Sequence, residues 1–397
     1  MPINQRNAGF ISATYQPLQV ANAPTIGAAT GGNASASVAF TAPANVGGSA
    51  ISAYYAVSNP DRVTVSGASS PINVTGLTNG TSYTFSVWAL NTYGPSPFSG
   101  ASGSVTPALQ RGLYGGGRSP TSNVIEYIDI TSTGNATDFG DLTIAQWKLT
   151  ACSSATRGVF GGGDDSSEVR VAIMSYVTIA STGNALSFGD LLAANEFLAA
   201  CSSTTRGVFG GGSTSGGRTN TIQYITIAST GNAIDFGDLT VERRALASCS
   251  STTRGVFGGG EESGADSCVI DYITIATTGN ATTFGELTDR TSFLASCSSP
   301  TRGVFGGGLV SSAVNVIQYI TIASTGNAID FGDLTAVGYG LAACSSATRG
   351  VFGGGESGRA NVLDYITIAT TGNATDFGDL TVGRFYLASC SNCHGGL

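Results

Sequence analysis

RGVFGGG, residues 157–163, returns through the chain with little change. It stands as RGLYGGG from Arg111, and as RGVFGGG from Arg157, Arg206, Arg254, Arg302 and Arg349. Each copy sets an apolar, β-favouring pair between a cation and a run of glycines, which reads as a short strand ending in a turn. Downstream of each copy come a β-rich run such as IQYITIAST, a turn TGNA, the sequence DFGDL, a variable stretch, and ALASCSS leading into the next Arg-Gly. Each unit therefore holds four short strands: a (LASCSS), b (RGVFGGG), c (IQYITIA) and d (AIDFGDL).

Six cysteines, Cys152, Cys201, Cys249, Cys297, Cys344 and Cys390, mark the period at 46 to 49 residues. Periods of roughly 40–50 residues with four strands each point to propeller blades. The repeat is entered at strand b, at Arg111, and left after a sixth strand a, GRFYLASCS at 383–391. Six complete blades result only if that last strand pairs with the first strand b, an arrangement that closes a ring and removes sheet edges.

Strand a, apolar residues running into a double glycine, and a tyrosine in strand c together resemble Kelch repeats over about 111–392. The tyrosines are Tyr127, Tyr176, Tyr224, Tyr272, Tyr319 and Tyr365. Strand d carries Phe139, Phe188, Phe236, Phe284, Phe331 and Phe377 where Kelch repeats usually carry Trp, so the resemblance is Kelch-like. Residues 108–397 are expected to be this propeller.

Residues 22–107 read as a separate β-sandwich, with short strands such as SASVAFTAP, AISAYYAVSNP, PINVTGL, SYTFSVWALN and SGSVTP between turn signals. GLTNGTSYTFSVWALN resembles the fibronectin type III signature, with Leu77 and Tyr83 placed as in its tyrosine corner and Phe40 where a Trp is usual. The expected fold class is all-β: a fibronectin-III-like β-sandwich followed by a six-bladed Kelch-like β-propeller closed by the C-terminal strand. Residues 1–21 read as an N-terminal arm, either disordered or docking on a partner.

Composition narrows the function. The formal net charge is -8 with a single lysine, Lys148, so there is no basic stripe for a phosphate backbone and nucleic acid is not an expected partner. No apolar run approaches the ~18 residues that span a bilayer, and the start lacks a basic segment followed by an apolar one, so neither membrane insertion nor a signal peptide is expected.

The six copies can be compared with one another. Each strand-c Tyr lies 25 residues before the next strand-a Cys, and each such Cys up to Cys344 lies five residues before the next Arg. All length variation falls between Arg and Tyr, in the b–c loop. Residues vary most there and in the d–a connection, and both emerge on one face of an up-and-down blade. Loops held by a rigid scaffold are where function concentrates. The variable face carries Trp147, Lys148, Phe197, Arg243, Arg244, Arg290, Phe293, Tyr339, Arg384, Phe385 and Tyr386, with Asp164, Asp165, Glu261 and Glu262. Aromatics beside charges fit a sugar or a protein surface; unconstrained drift, with some aromatics in the core, is the competing reading.

Each unit also pairs an Arg (Arg111, Arg157, Arg206, Arg254, Arg302, Arg349) with an acid in FGD/E (Asp141, Asp190, Asp238, Glu286, Asp333, Asp379). Six like copies indicate a structural ion pair or turn bond, since catalysis would need one copy to specialise. No catalytic residue, cofactor or metal site is expected. One histidine, His394, cannot supply the two-histidine copper site of galactose oxidase, which also joins a Kelch propeller to Ig-like domains. Cys390-Ser-Asn-Cys393-His394 fits the C-x-x-C-H haem pattern, but Cys390 is simply the sixth strand-a cysteine, and the tail reads as the place where the ring closes. Cys268 and Cys393 fall outside the series.

The opening GFISATYQPLQVANAPTIG, the Gly/Ser/Thr/Ala-rich type III module and the STGNA.DFGDL repeats resemble virion structural proteins of tailed bacteriophages, especially marine cyanophages. That resemblance implies a multicopy or homo-oligomeric tail or capsid appendage, localised to the virion. It would be anchored to other virion proteins by residues 1–21 and the sandwich, with the variable face turned to a host-surface glycan or a neighbouring subunit. A secreted extracellular adhesin or carbohydrate-binding protein, and a glycan hydrolase, are the rivals.

Overall fold

A computed structural model of the chain describes residues 18–397. These fall into two compact units divided between Leu109 and Gln110, and strands are their only regular elements. Most of the expected arm lies outside the described residues. Its last part belongs to the first unit: Gln19 N–H donates to Gly47 O at 2.9 Å, and Ala21 is buried in the sandwich core.

The first unit stacks a three-stranded sheet on a four-stranded one. The strands are β1 (Thr25–Gly32), β2 (Ser35–Thr41), β3 (Ala53–Asn59), β4 (Thr64–Gly67), β5 (Ile72–Thr75), β6 (Thr84–Asn91) and β7 (Gly94–Pro95). The sheet orders are β1-β2-β5 and β4-β3-β6-β7. The period-two alternation sends Ala36, Val38 and Phe40 of β2 and Phe85, Val87 and Ala89 of β6 into one core. Phe40 packs on Tyr54 with centroids 4.7 Å apart. The Tyr83 hydroxyl accepts from Thr78 N–H at 3.0 Å and donates to Asp61 at 2.6 Å.

SGSVTP does not form the expected strand; only Val105 bridges to Tyr83. The chain from Ser96 instead runs beside β6 on a three-residue period. Ser96, Ser99 and Ser102 donate their N–H groups to Ala89, Val87 and Phe85 carbonyls, each at 2.8 Å. Their hydroxyls accept from the N–H groups of the same three residues at 2.9 Å. A serine every third residue thus satisfies both polar groups of every second β6 residue, which an alternating strand would do with backbone alone.

The second unit holds six four-stranded antiparallel sheets in the order a-b-c-d. In the second of them, Thr150–Ser153, Arg157–Gly161, Ile173–Thr178 and Leu186–Asp190 lie side by side. The first sheet takes its strand a from the far end of the chain: Ala388–Ser391 pairs with Arg111–Gly115, Cys390 opposite Leu113. The six a strands touch in a closed cycle, each contacting the next and Ala388–Ser391 contacting Thr150–Ser153.

The opening heptad is explained by these contacts. Val159 and Phe160 are fully buried, each side chain contributing about 2 kcal/mol over its exposed state. Gly158 makes room for the neighbouring sheet, since a β-carbon there would lie 2.8 Å from Cys390 Sγ. Gly162 and Gly163 take φ of +73° and +90°, a left-handed turn that side chains resist. All eight cysteines are unbridged, and the six of the series are buried fillers.

The repeated arginine and acid do not form the expected ion pair. Arg157 Nη1 instead donates across to Ile227 O of the next sheet at 2.9 Å, and its guanidinium lies 4.2 Å from the Tyr176 ring centroid. All six arginines do the same, from Arg111 on Ile179 round to Arg349 on Ile130. Each acid makes a turn bond: the N–H of Asp141 donates to Asn184 Oδ1 of the next TGNA turn at 3.1 Å, and the other five acids repeat this.

Candidate functional site

The d–a connections enter strand a through one residue per sheet with left-handed or glycine geometry: Lys148, Phe197, Ala245, Phe293, Gly340 and Tyr386, φ between +52° and +66°. Each donates its N–H to the carbonyl of the equivalent residue before it, at 2.7–3.0 Å, and Lys148 to Tyr386 completes the cycle. Five side chains and one glycine thereby crowd one axis. Three are large: Phe197, Phe293 and Tyr386 alternate round the cycle and meet with centroids 5.2–5.5 Å apart. Ala245 and Gly340 sit in two of the gaps between them and Lys148 in the third, and a β-carbon at Gly340 would lie 2.7 Å from the Tyr386 ring.

Lys148, the sixth residue, is held from all sides. Its Nζ reaches Asp164 at 2.7 Å and Glu196 at 2.6 Å, and stands 3.9 Å from the Trp147 centroid. Arg118 covers Trp147 as well, at 4.1 Å. Arg170 completes the group with 2.7 Å to Glu196. Burial raises the Asp164 carboxyl despite Lys148. Burial would raise Glu196 too, but Lys148 and Arg170 outweigh it and hold that carboxyl below its ordinary value. The group is charge-balanced, two cations on two carboxylates, and its chemistry is that of a buried ion network.

The structure therefore gathers Trp147, Lys148, Phe197, Phe293, Tyr339, Phe385 and Tyr386 into one packed cluster. Its aromatic faces are largely spent on each other. Arg244 pairs with Glu261 at 3.0 Å, and Arg290, exposed, donates to Asp266 O at 3.0 Å. Arg243 and Arg384 do not face outward: they are 0% and 1% exposed and pair with Asp271 and Glu126 of strand c.

The other end of the axis is filled by the tail. Ser153, Ser250, Ser298, Ser345 and Ser391 each donate a hydroxyl to the carbonyl of the equivalent serine in the adjacent sheet, at 2.6–2.9 Å. The sixth link, Ser202 to Ser153, is taken by His394, whose Nε2 lies 3.2 Å from Ser202 Oγ and 3.4 Å from Ser153 O. Its Nδ1 accepts from Gly396 N–H at 3.0 Å, fixing the neutral tautomer with the proton on Nε2. Burial pushes the His394 pKa down to about 4. Cys393 lies beside it, Sγ 3.7 Å from Ser345 O.

Space on the axis is accordingly small, with cavities of about 60, 130 and 70 Å³. A ligand-sized space lies off-axis, a groove of about 610 Å³ between the third and fourth sheets. It is lined by Arg218, Asn220, Thr240, Glu242, Glu262 and Ser263 among others. Sequence reasoning named only Glu262 of these. The missed signal is that both flanking b–c loops carry a glycine between polar residues, STSGGR and EESGAD, and so fold as hairpins.

A family model of the fibronectin type III domain matches residues 22–103. That segment is a fibronectin type III-like β-sandwich. No curated protein matches the chain.

Proposed function

We propose that residues 110–397 are a six-bladed Kelch-like β-propeller and that the chain is a non-enzymatic structural and recognition protein of a virus particle. The fibronectin-III-like domain and the residues before it attach it to the particle, as a tail or capsid appendage of a tailed bacteriophage. The b–c and d–a face of the propeller meets a host-surface glycan or a neighbouring virion protein.

One observation carries the recognition half. The axial backbone bonds, the strand-b arginine bonds and the TGNA turn bonds between sheets each recur six times, while length and residue differences concentrate in loops on one face. The TGNA turns on the other face are held constant by the bonds they make to the adjacent sheet, so the b–c and d–a loops are where a rigid scaffold leaves residues available for recognition. The virion assignment rests on the sequence resemblance, and the closed cycle of contacts supports it through the durability that a particle surface demands.

Two measurements test this. Purified chain is expected to bind cells that carry their surface polysaccharide and not stripped cells; equal binding to both overturns the glycan reading. Particles assembled with a chain lacking residues 1–21 are expected to lose it; unchanged incorporation overturns the anchoring.

A further inference from the structure

We propose that the groove between the third and fourth sheets binds a hydroxyl-rich ligand bearing a positive charge, an amino-sugar unit being its simplest form. The inference rests on the recognition reading above and says where on that face the ligand sits.

The walls are preformed. Ser213–Thr214 pairs with Gly217–Arg218 on one side, and Glu261–Glu262 with Ala265–Asp266 on the other. Among the described residues these b–c loops carry two-residue ladders of their own, where Asp164–Arg170 and Leu309–Ala313 close theirs by single bridges. The d–a connection at Thr240, Val241 and Glu242 lies between them in the lining. The volume, about 610 Å³, falls within the range of small-ligand sites, whereas the axial cavities are far below it.

The lining selects the chemistry. Its one cation, Arg218, is committed: Nη2 forms an ion pair with Glu261, and Nε donates to Glu261 O at 3.1 Å. Arg244 joins Glu261 from the other side. Among the described residues Glu242 and Glu262 form no ion pair, although Glu262 lies in the field of the buried Arg243, so the lining carries two carboxylates against the one committed guanidinium. Glu262 accepts from Ser267 Oγ, and Glu242 is exposed at the groove. Asn220, Ser263 and the two carboxylates offer acceptors and donors for hydroxyls, and no aromatic ring lines the groove for stacking. Such a site holds an ammonium with hydroxyls round it and repels uronate or sulfate groups.

The test titrates the full chain with a glucosamine tetramer, its N-acetylated form and a galacturonate tetramer, followed by calorimetry. The glucosamine tetramer is expected to bind, the N-acetylated form about tenfold more weakly and the galacturonate not at all. Glu242→Gln is expected to weaken glucosamine binding about tenfold, and Asp376→Asn on an outer strand to leave it unchanged. Preference for galacturonate, equal binding by Glu242→Gln, or no binding of any probe overturns the site. Cell adherence of the full chain, measured alongside, separates the two ideas: adherence retained without tetramer binding sinks the groove alone, and adherence absent sinks the recognition reading.

Discussion

The strand-c residue before each tyrosine decides what the residue two before the axial position must be. Glu126, Asp271 and Asp364 are fully buried acids, and each meets a buried arginine: Arg384, Arg243 and Arg359, the last pair at 3.0 Å. Where strand c carries Ser175, Gln223 or Gln318, the partner position holds Gln146, Asn195 or Thr291. In the sixth sheet the arginine comes from a different loop. Position 338 is glycine, and the Arg359 side chain passes through the space a β-carbon would occupy there. Stranding one charge of such a pair costs about 3–5 kcal/mol. Arg243→Asn is therefore expected to lower the unfolding free energy by that amount, and adding Asp271→Gln, which gives the third sheet's two neutral residues, each bonded there to backbone, to restore most of it in guanidinium unfolding. This pattern hid the buried role of Arg243 and Arg384, which sequence reasoning set on the variable face, because two sheets supply the arginine from one position and the third from another. His394 gives a second residue-scale outcome. Its folded pKa, about 4, lies below the unfolded 6.5, so the unfolded chain binds the extra proton between those values. Its contribution is complete above pH 6.5 and is lost as pH falls towards 4, about 3 kcal/mol in all. The pH 7-to-4.5 fall in unfolding free energy should be smaller in His394→Gln than in the parent, and an equal fall in both would show that His394 is not held neutral.

Among elements, the repeat strands were legible and the last sandwich segment was not. RGVFGGG, IQYITIA and DFGDL each match a strand bounded by glycine, and each forms one in every unit. Their partners were legible too, since six like copies with a displaced start leave few ways to complete a sheet. The segment Ser96–Val105 carries no alternation, because its contacts recur every third residue and depend on hydroxyls replacing backbone groups. Ser102 is 8% exposed, and its Oγ satisfies the N–H of the buried Phe85. Leaving that donor unpaired costs about 1–3 kcal/mol. Ser102→Ala should destabilise the sandwich by that amount and speed hydrogen exchange at Phe85 N–H above all. A uniform change across β6 would mean that the hydroxyl is not the partner that matters. The arginine of strand b was equally hard to read: its acid lies in the same unit, while its true partners, an isoleucine carbonyl and a tyrosine face, carry no complementary charge.

At the scale of the whole molecule, further sets of hydrogen bonds run round the six sheets beside those of the strand-b arginines and the strand-d acids. The axial residues link backbone to backbone at one end, and the serines link hydroxyl to carbonyl at the other, with His394 at the one gap. At the rim the glycine of each TGNA turn donates to the strand-d phenylalanine carbonyl of the preceding sheet, from Gly183 on Phe139 round to Gly134 on Phe377, at 2.7–2.9 Å. A linear stack of sheets would leave one copy of each link open, and here every copy except the serine occupied by His394 is made. Residues 392–397 hold the closing strand and then cross to other sheets. Asn392 exchanges bonds with Arg111 of the first sheet, Cys393 Sγ lies 3.7 Å from Ser345 O of the sixth, and Gly395 N–H donates to Ser298 O of the fifth at 3.1 Å. If closure matters to cooperativity, its loss should cost more than the contacts of one strand, because opening the cycle frees both neighbouring sheets. A chain ending at Asn392 keeps strand a and loses only the tail; it should unfold in one transition at a lower midpoint. A chain ending at Tyr386 loses strand a of the first sheet and uncovers Leu113 and Tyr114, both fully buried in the intact molecule. It should unfold over a broader transition with a smaller denaturant slope, the first and sixth sheets exchanging their amides before the third and fourth. Identical slopes for both truncations would show that the six sheets behave as a linear array, each held by its neighbours alone.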